Sequence, residues 1–140
     1  MKAFFPICVF AVGCAAAAHA PAAVRPGEDA CAYCRMTLLS TRTAAQIVEP
    51  GEDPVIFDEL GCLRDYLAGH AVPNDARIYV ADHRTGAWVD AAAAVFTRTS
   101  IATPMSSGLL AHTDAASRDA DPDTRGGAAV TSESVLRPAR

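Results

Sequence analysis

Pro54-Val55-Ile56-Phe57-Asp58-Glu59-Leu60-Gly61-Cys62-Leu63-Arg64-Asp65-Tyr66-Leu67-Ala68-Gly69 changes its hydrophobic period in the middle. The first four residues form a short apolar run that suits a strand. Leu60, Leu63 and Leu67 then recur at helical spacing, with Asp58 expected at the N-cap and Gly69 near the C-cap. Upstream, Thr37 to Val48 is rich in Thr, Leu, Ile and Val and predicts a strand that stops at Glu49-Pro50-Gly51. Downstream, Arg77-Ile78-Tyr79-Val80-Ala81 predicts another. The order over residues 35 to 82 is therefore strand, strand, helix, strand. It repeats more faintly with strands at Val95–Thr97 and Ser107–Ala111, a short helix capped by Asp114 and running to about Ala120, a polar loop from Asp121, and a closing strand at Gly127–Thr131. The links at Pro50-Gly51 and around Pro104 are too short for parallel crossovers. The expected class is α+β, with tandem ββαβ-like halves (30–84 and 85–136) built on mostly antiparallel small sheets.

The chain has 140 residues, of which 30 are alanine and nine aromatic, so its core is small. Net charge is −4 and Lys2 is the only lysine. Without a basic stripe, nucleic-acid binding is not expected. No apolar run reaches the roughly 18 residues of a membrane-spanning helix.

The N-terminus predicts export. Lys2 precedes an apolar stretch from Phe4 to Val12, and Ala11-Val12-Gly13-Cys14 resembles a lipoprotein signal box. On that reading residues 1–13 are a signal peptide that takes Cys8 with it. Cys14 is acylated, and 14–29 is a flexible Ala/Pro-rich tether. The protein is then anchored by lipid to a bacterial membrane, facing the periplasm or the cell exterior. The rival is an ordinary secretory signal cut after Ala18-His19-Ala20, where Pro21 would hinder cleavage.

Cys31, Cys34 and Cys62 remain, an odd number for an oxidising compartment. The informative spacing is Cys31-x2-Cys34-x-Met36. Copper(I) is soft and prefers thiolate and thioether donors. In an extended segment Cys34 and Met36 share a face, and Cys31 reaches them only through a turn. Met105 sits in the turn-forming stretch Thr103-Pro104-Met105-Ser106-Ser107-Gly108, an odd place for a core thioether. Cys34, Met36, Met105 and Cys31 are thus the first candidates for metal ligands, with Cys62 and His112 as secondary ones. Cys62 also reads as an ordinary buried thiol. His112 earns its place by following Met105 closely, whereas His70 and His83 read as lone histidines. Three rivals stay open at this point: a thiol–disulfide oxidoreductase, a structural zinc site using Cys31, Cys34, Cys62 and His70, and a domain merely clipped by a Cys31–Cys34 bridge. Trp88 reads as a sheet anchor, and Asp82 and Asp90 as turn caps. No nucleophile–base set, phosphate loop or paired-carboxylate constellation is visible, so catalysis is not expected.

At these residues the chain resembles the NosL-type lipoproteins, copper chaperones linked to maturation of nitrous-oxide reductase. The matching pieces run in order: the box at Cys14, Tyr33-Cys34-Arg35-Met36 against a Cys-Gly-Met pattern, and Phe57-Asp58-Glu59-Leu60-Gly61-Cys62. Tyr79-Val80-Ala81-Asp82, Gly86-Ala87-Trp88-Val89-Asp90-Ala91, and Thr103-Pro104-Met105 with Gly108-Leu109 follow. Arg35 replaces the usual glycine, Ser106 and Ser107 stand where glycine or a small residue is common, and Cys31 and Cys62 are thiols found in only part of that family. The resemblance implies paired ββαβ halves and a membrane-anchored Cu(I) metallochaperone. Its ligands would be at the Cys34, Met36 and Met105 positions. Its partner would be a copper-receiving enzyme, nitrous-oxide reductase or its maturation machinery.

Overall fold

A computed structural model describes residues 19–137. Residues 1–18, with the expected signal segment and Cys14, lie outside the described residues. Seven strands and three helices follow in the order β1 (Ala45–Val48), β2 (Val55–Phe57), α1 (Leu60–Gly69), β3 (Arg77–Ala81), β4 (Trp88–Asp90), β5 (Val95–Arg98), β6 (Leu109–His112), α2 (Ala115–Ala120), β7 (Ala128–Val130) and α3 (Ser132–Leu136). They form two sheets, ordered β2-β1-β3-β4 and β6-β5-β7. Every strand pair within the sheets is antiparallel. In each half the first strand is central, its hairpin partner lies on one side, and the strand after the helix lies on the other. The tandem ββαβ reading therefore holds at the level of topology. β4 joins the first sheet, so the change of sheet falls after Asp90 rather than after Arg84.

The two sheets meet where Asp82 forms a parallel bridge with Ala111, and His83 N–H donates to the Ala111 carbonyl at 2.9 Å. A single core runs through both halves. Ile47, Phe57, Leu60, Leu63, Val80, Phe96, Leu109 and Val135 are all buried in it. At roughly 25 cal/mol per Å² of apolar surface, each large side chain withdrawn from water contributes about 1.5–3 kcal/mol. Trp88 is half-buried against that core.

Several local expectations are corrected. The strand predicted from Thr37 begins only at Ala45. Ser40 Oγ accepts from Arg42 N–H at 3.1 Å, and Ala44 N–H bonds back to the Thr41 carbonyl, so a turn interrupts the run. The N-cap of α1 is Glu59, without a side-chain cap bond, and not Asp58. Asp114 does cap α2, accepting from Ser117 N–H at 2.8 Å. The polar loop after α2 holds a 3-10 turn at Pro122–Thr124. β4 and α3, three and five residues long, are too short to carry a readable period.

Residues 19–24 are not the free tether their composition suggests. Gln46 is fully buried in β1, and its amide both donates to the Ala22 carbonyl and accepts from Ala22 N–H. The Tyr79 hydroxyl donates to the His19 carbonyl. A buried amide needs partners, and this segment supplies them.

Candidate functional site

The segment from Asp29 to Leu38 folds back as a small hairpin. Leu38 N–H donates to the Asp29 carbonyl, Ala30 bridges Thr37, and Cys31 N–H donates to the Met36 carbonyl at 2.8 Å. The tip closes through Arg35 N–H to the Cys31 carbonyl, with Arg35 at φ +66°. Ala32 N–H donates to the Ile56 carbonyl and ties the tip to β2. Cys34 thus sits in a turn rather than in an extended strand, and the turn is what brings Cys31 to it. Cys62 arrives from the first turn of α1. The three sulfurs lie within 4.8 Å of one another. All three cysteines are free thiols, Cys31 and Cys62 buried and Cys34 half-buried.

Their acidities differ for physical reasons. Burial raises the Cys31 thiol, but the backbone N–H groups of Asp58, Cys34 and Tyr33 outweigh it and bring it below its ordinary value. Burial pushes Cys34 up against the Met36 N–H that favours its thiolate, and Cys31 adds to the rise. Burial and the neighbouring Cys31 push Cys62 far up. Cys31 is therefore the most readily ionised of the three. Two buried acids lie beside the cluster. Asp58 Oδ1 and both oxygens of Glu59 have no hydrogen-bond partner in the described residues. Burial and the adjacent Glu59 charge raise Asp58.

Both candidate thioether side chains reach the surface. Met36 and Met105 are 51% and 47% exposed. Met105 shares a cavity of about 270 Å³ with Cys62, Tyr33, Glu59 and Ser107. Its loop rests on α1 because Gly61 leaves room for Ser107. A Cβ on Gly61 would lie 2.7 Å from the Ser107 Cβ. Ser106 takes φ +61°, and Thr103 Oγ1 accepts from Gly108 N–H to close the loop. The structure thus gathers Cys31, Cys34 and Cys62 and sets Met105 beside Cys62. The Met36 backbone carbonyl accepts from Cys31 N–H.

His112 does not join the sulfur site. It belongs to a second buried group with His83 and Asp121, whose donor atoms also lie within 4.8 Å of one another. His83 and Asp121 escape sequence reading because they stand far apart in the chain with no motif spacing. His70 stacks on Tyr66 at 4.0 Å on the exposed end of α1. Asp82 and Asp90 act as turn acceptors, as expected: Asp82 Oδ1 for Arg84 and Thr85 N–H, Asp90 Oδ1 for Ala92 N–H.

No family model, curated protein or solved structure matches the chain.

Proposed function

We propose that this chain is a membrane-anchored, extra-cytoplasmic metallochaperone. It carries Cu(I) in a sulfur site and passes it to a copper enzyme, with nitrous-oxide reductase the recipient that the NosL-type resemblance implies. The observation that carries the reading is the convergence of three free thiols beside two exposed thioether-bearing loops. Sulfur of this kind selects a soft monovalent ion. Cys31 offers the first thiolate, Cys34 the thiol nearest solvent, and Met36 and Met105 neutral donors at the rim. Copper enters by exchanging one ligand at a time from the exposed thioethers to the thiols. It leaves by the reverse path, and each thiol that binds releases its proton.

Backbone geometry supports the resemblance independently of side-chain identity. Among the described residues, Arg35 and Ser106 are the non-glycine positions with positive φ. The resemblance expects glycine at the first and glycine or a small residue at the second, and a left-handed backbone favours glycine. Surface chemistry supports a docking partner. Among the described residues, the large apolar side chains left exposed are Tyr33, Met36 and Leu39 on the cysteine segment and Met105 on the facing loop. The thiol–disulfide alternative is served less well. Exchange needs an accessible, acidic sulfur. Here the acidic thiol, Cys31, is fully buried, while the more open Cys34 is the less acidic.

The test is an anaerobic, reducing titration with Cu(I) against a competing chelator. Cys31→Ser and Cys34→Ser are expected to weaken binding about 100-fold or more, and Met105→Leu and Met36→Leu about tenfold. Parental affinity in both cysteine variants would remove the sulfur mechanism. Tighter binding of zinc than of Cu(I), through Cys31 and Cys34, would replace it with a structural zinc site.

A further inference from the structure

His83, His112 and Asp121 come from three different places: the residue after the β3 bridge, the last residue of β6, and the junction between α2 and the 3-10 turn. All three are buried, at 6%, 0% and 2% exposure. His83 Nδ1 lies 2.8 Å and His112 Nε2 2.9 Å from one and the same atom, Asp121 Oδ2. The rings stand edge-on at 71° with centroids 6.2 Å apart, so they aim at a common point and do not stack. The other carboxylate oxygen, Oδ1, accepts from Asp123 N–H at 3.0 Å, which fixes the acid in place. The His83 backbone is held at both ends, by its N–H to Ala111 and by Arg42 Nε donating to its carbonyl. Asp82, next in the chain, is occupied by Thr113 N–H, Ser117 Oγ, Arg84 N–H and Thr85 N–H and stays out of the group.

We propose that His83 Nδ1, His112 Nε2 and Asp121 Oδ2 form a binding site for one divalent borderline cation of the zinc or copper(II) class, separate from the sulfur site. Two imidazole nitrogens and one carboxylate oxygen are the donor set that such ions take, whereas Cu(I) prefers sulfur. Asp121 supplies the anionic donor of the set and the two imidazoles the neutral ones. Metal binding costs no net proton when both rings are neutral. The proton on His83 Nδ1 moves to Nε2, that on His112 Nε2 moves to Nδ1, and each freed lone pair turns to the metal. His112 Nδ1 has no partner in the described residues, so no existing hydrogen bond there is lost. Bonds of about 2.0–2.1 Å in a tetrahedral site space the ligands about 3.3 Å apart. Each ring therefore withdraws from Asp121 by a few tenths of an ångström. The fourth position falls to water on the side of His83, the most exposed of the three.

The site joins the end of β3 to β6 and the segment after α2, so a bound ion would also fasten one sheet to the other. Zinc is the probe. The full chain is titrated with Zn2+ against a chelating indicator, in parallel with Cys34→Ser, His83→Gln and Asp121→Asn, and imidazole 15N resonances are followed in the unaltered protein. The expected result is one zinc equivalent that survives in Cys34→Ser and weakens at least about tenfold in His83→Gln and Asp121→Asn. In the unaltered protein the His83 and His112 ring nitrogens shift on zinc addition. If a variant does not fold, those resonances decide. Histidine resonances unmoved by zinc, or zinc lost in Cys34→Ser and retained in both other variants, would make the group a hydrogen-bonded clamp and overturn the proposal. The first outcome leaves Cu(I) at the thiols untouched, whereas the second puts zinc at the thiols, where the competition with Cu(I) then decides between the two ions.

Discussion

Asp82 gathers four donors from three segments onto one buried carboxylate, including Thr113 N–H at 2.8 Å and Ser117 Oγ at 2.7 Å. Burial raises its carboxyl, but the Thr113, Ser117 and Thr85 bonds outweigh that and hold it far below the ordinary 3.8. A depressed folded value stabilises the protein fully above 3.8, and the contribution fades as pH falls through the folded value. Asp82→Asn is expected to cost about 2–3 kcal/mol at neutral pH and to flatten part of the acid limb in urea denaturation below pH 3.8. An unchanged acid limb would show that the loss comes from elsewhere. Arg35 and Ser106 carry the opposite kind of strain. A left-handed backbone costs a non-glycine residue about 1–2 kcal/mol, partly offset by the entropy glycine loses. Arg35→Gly and Ser106→Gly should each therefore stabilise by about 0.5–1 kcal/mol in the same measurement.

The loop from Ile101 to Gly108 and the first turn of α1 act as one unit through the Gly61–Ser107 contact. Gly61→Ala keeps every sulfur yet pushes Met105 away from Cys62. It should weaken Cu(I) binding about as much as Met105→Leu does, roughly tenfold. Gly108→Ala strains the same loop from its other end, because φ is +65° and a Cβ would collide with the Thr99 carbonyl. It should cost about 2 kcal/mol or more. At this scale the sequence was readable where signals are local. The Leu60–Leu67 period revealed α1, and the Cys31-x2-Cys34-x-Met36 spacing marked the candidate sulfur ligands. It did not reveal that Cys34 lies in a turn, because nothing in Tyr33-Cys34-Arg35-Met36 announces a positive φ on an arginine. Cys62 read mainly as core, and it is both core and part of the cluster. Nearness to Met105 in the sequence points His112 toward the sulfur site. The strand after that loop instead delivers it to His83 and Asp121, a grouping set by tertiary contact alone.

Over the whole molecule the two sheets share a topology but not a separate existence. Val135 of α3 is buried in the common core, and α3 packs against α1 of the first half. Unfolding should therefore be one cooperative transition, with circular dichroism and Trp88 fluorescence coinciding. Removing residues 132–140 should destabilise the first half as well as the second, and two separated transitions would refute this. Antiparallel pairing was legible from the short links at Pro50-Gly51 and around Pro104. The location of the boundary was not, since it depends on β4 choosing β3 as its partner. Among the described residues no helix is long and apolar enough to cross a membrane. Membrane attachment on our reading rests on Cys14, and Cys14→Ser should abolish acylation and release the protein from the membrane fraction.

The bonds that pin His19 and Ala22 to the fold set a leash length for that anchor. From Cys14 to His19 there are five Cα-to-Cα steps (19 − 14), which at full extension reach no more than about 18 Å. A lipid on Cys14 would then keep the domain within one protein diameter of the bilayer, where its search for a recipient is a two-dimensional one. Recipients on the same surface would meet it at a high effective concentration, while those free in the surrounding solution would have to come to the membrane to be served.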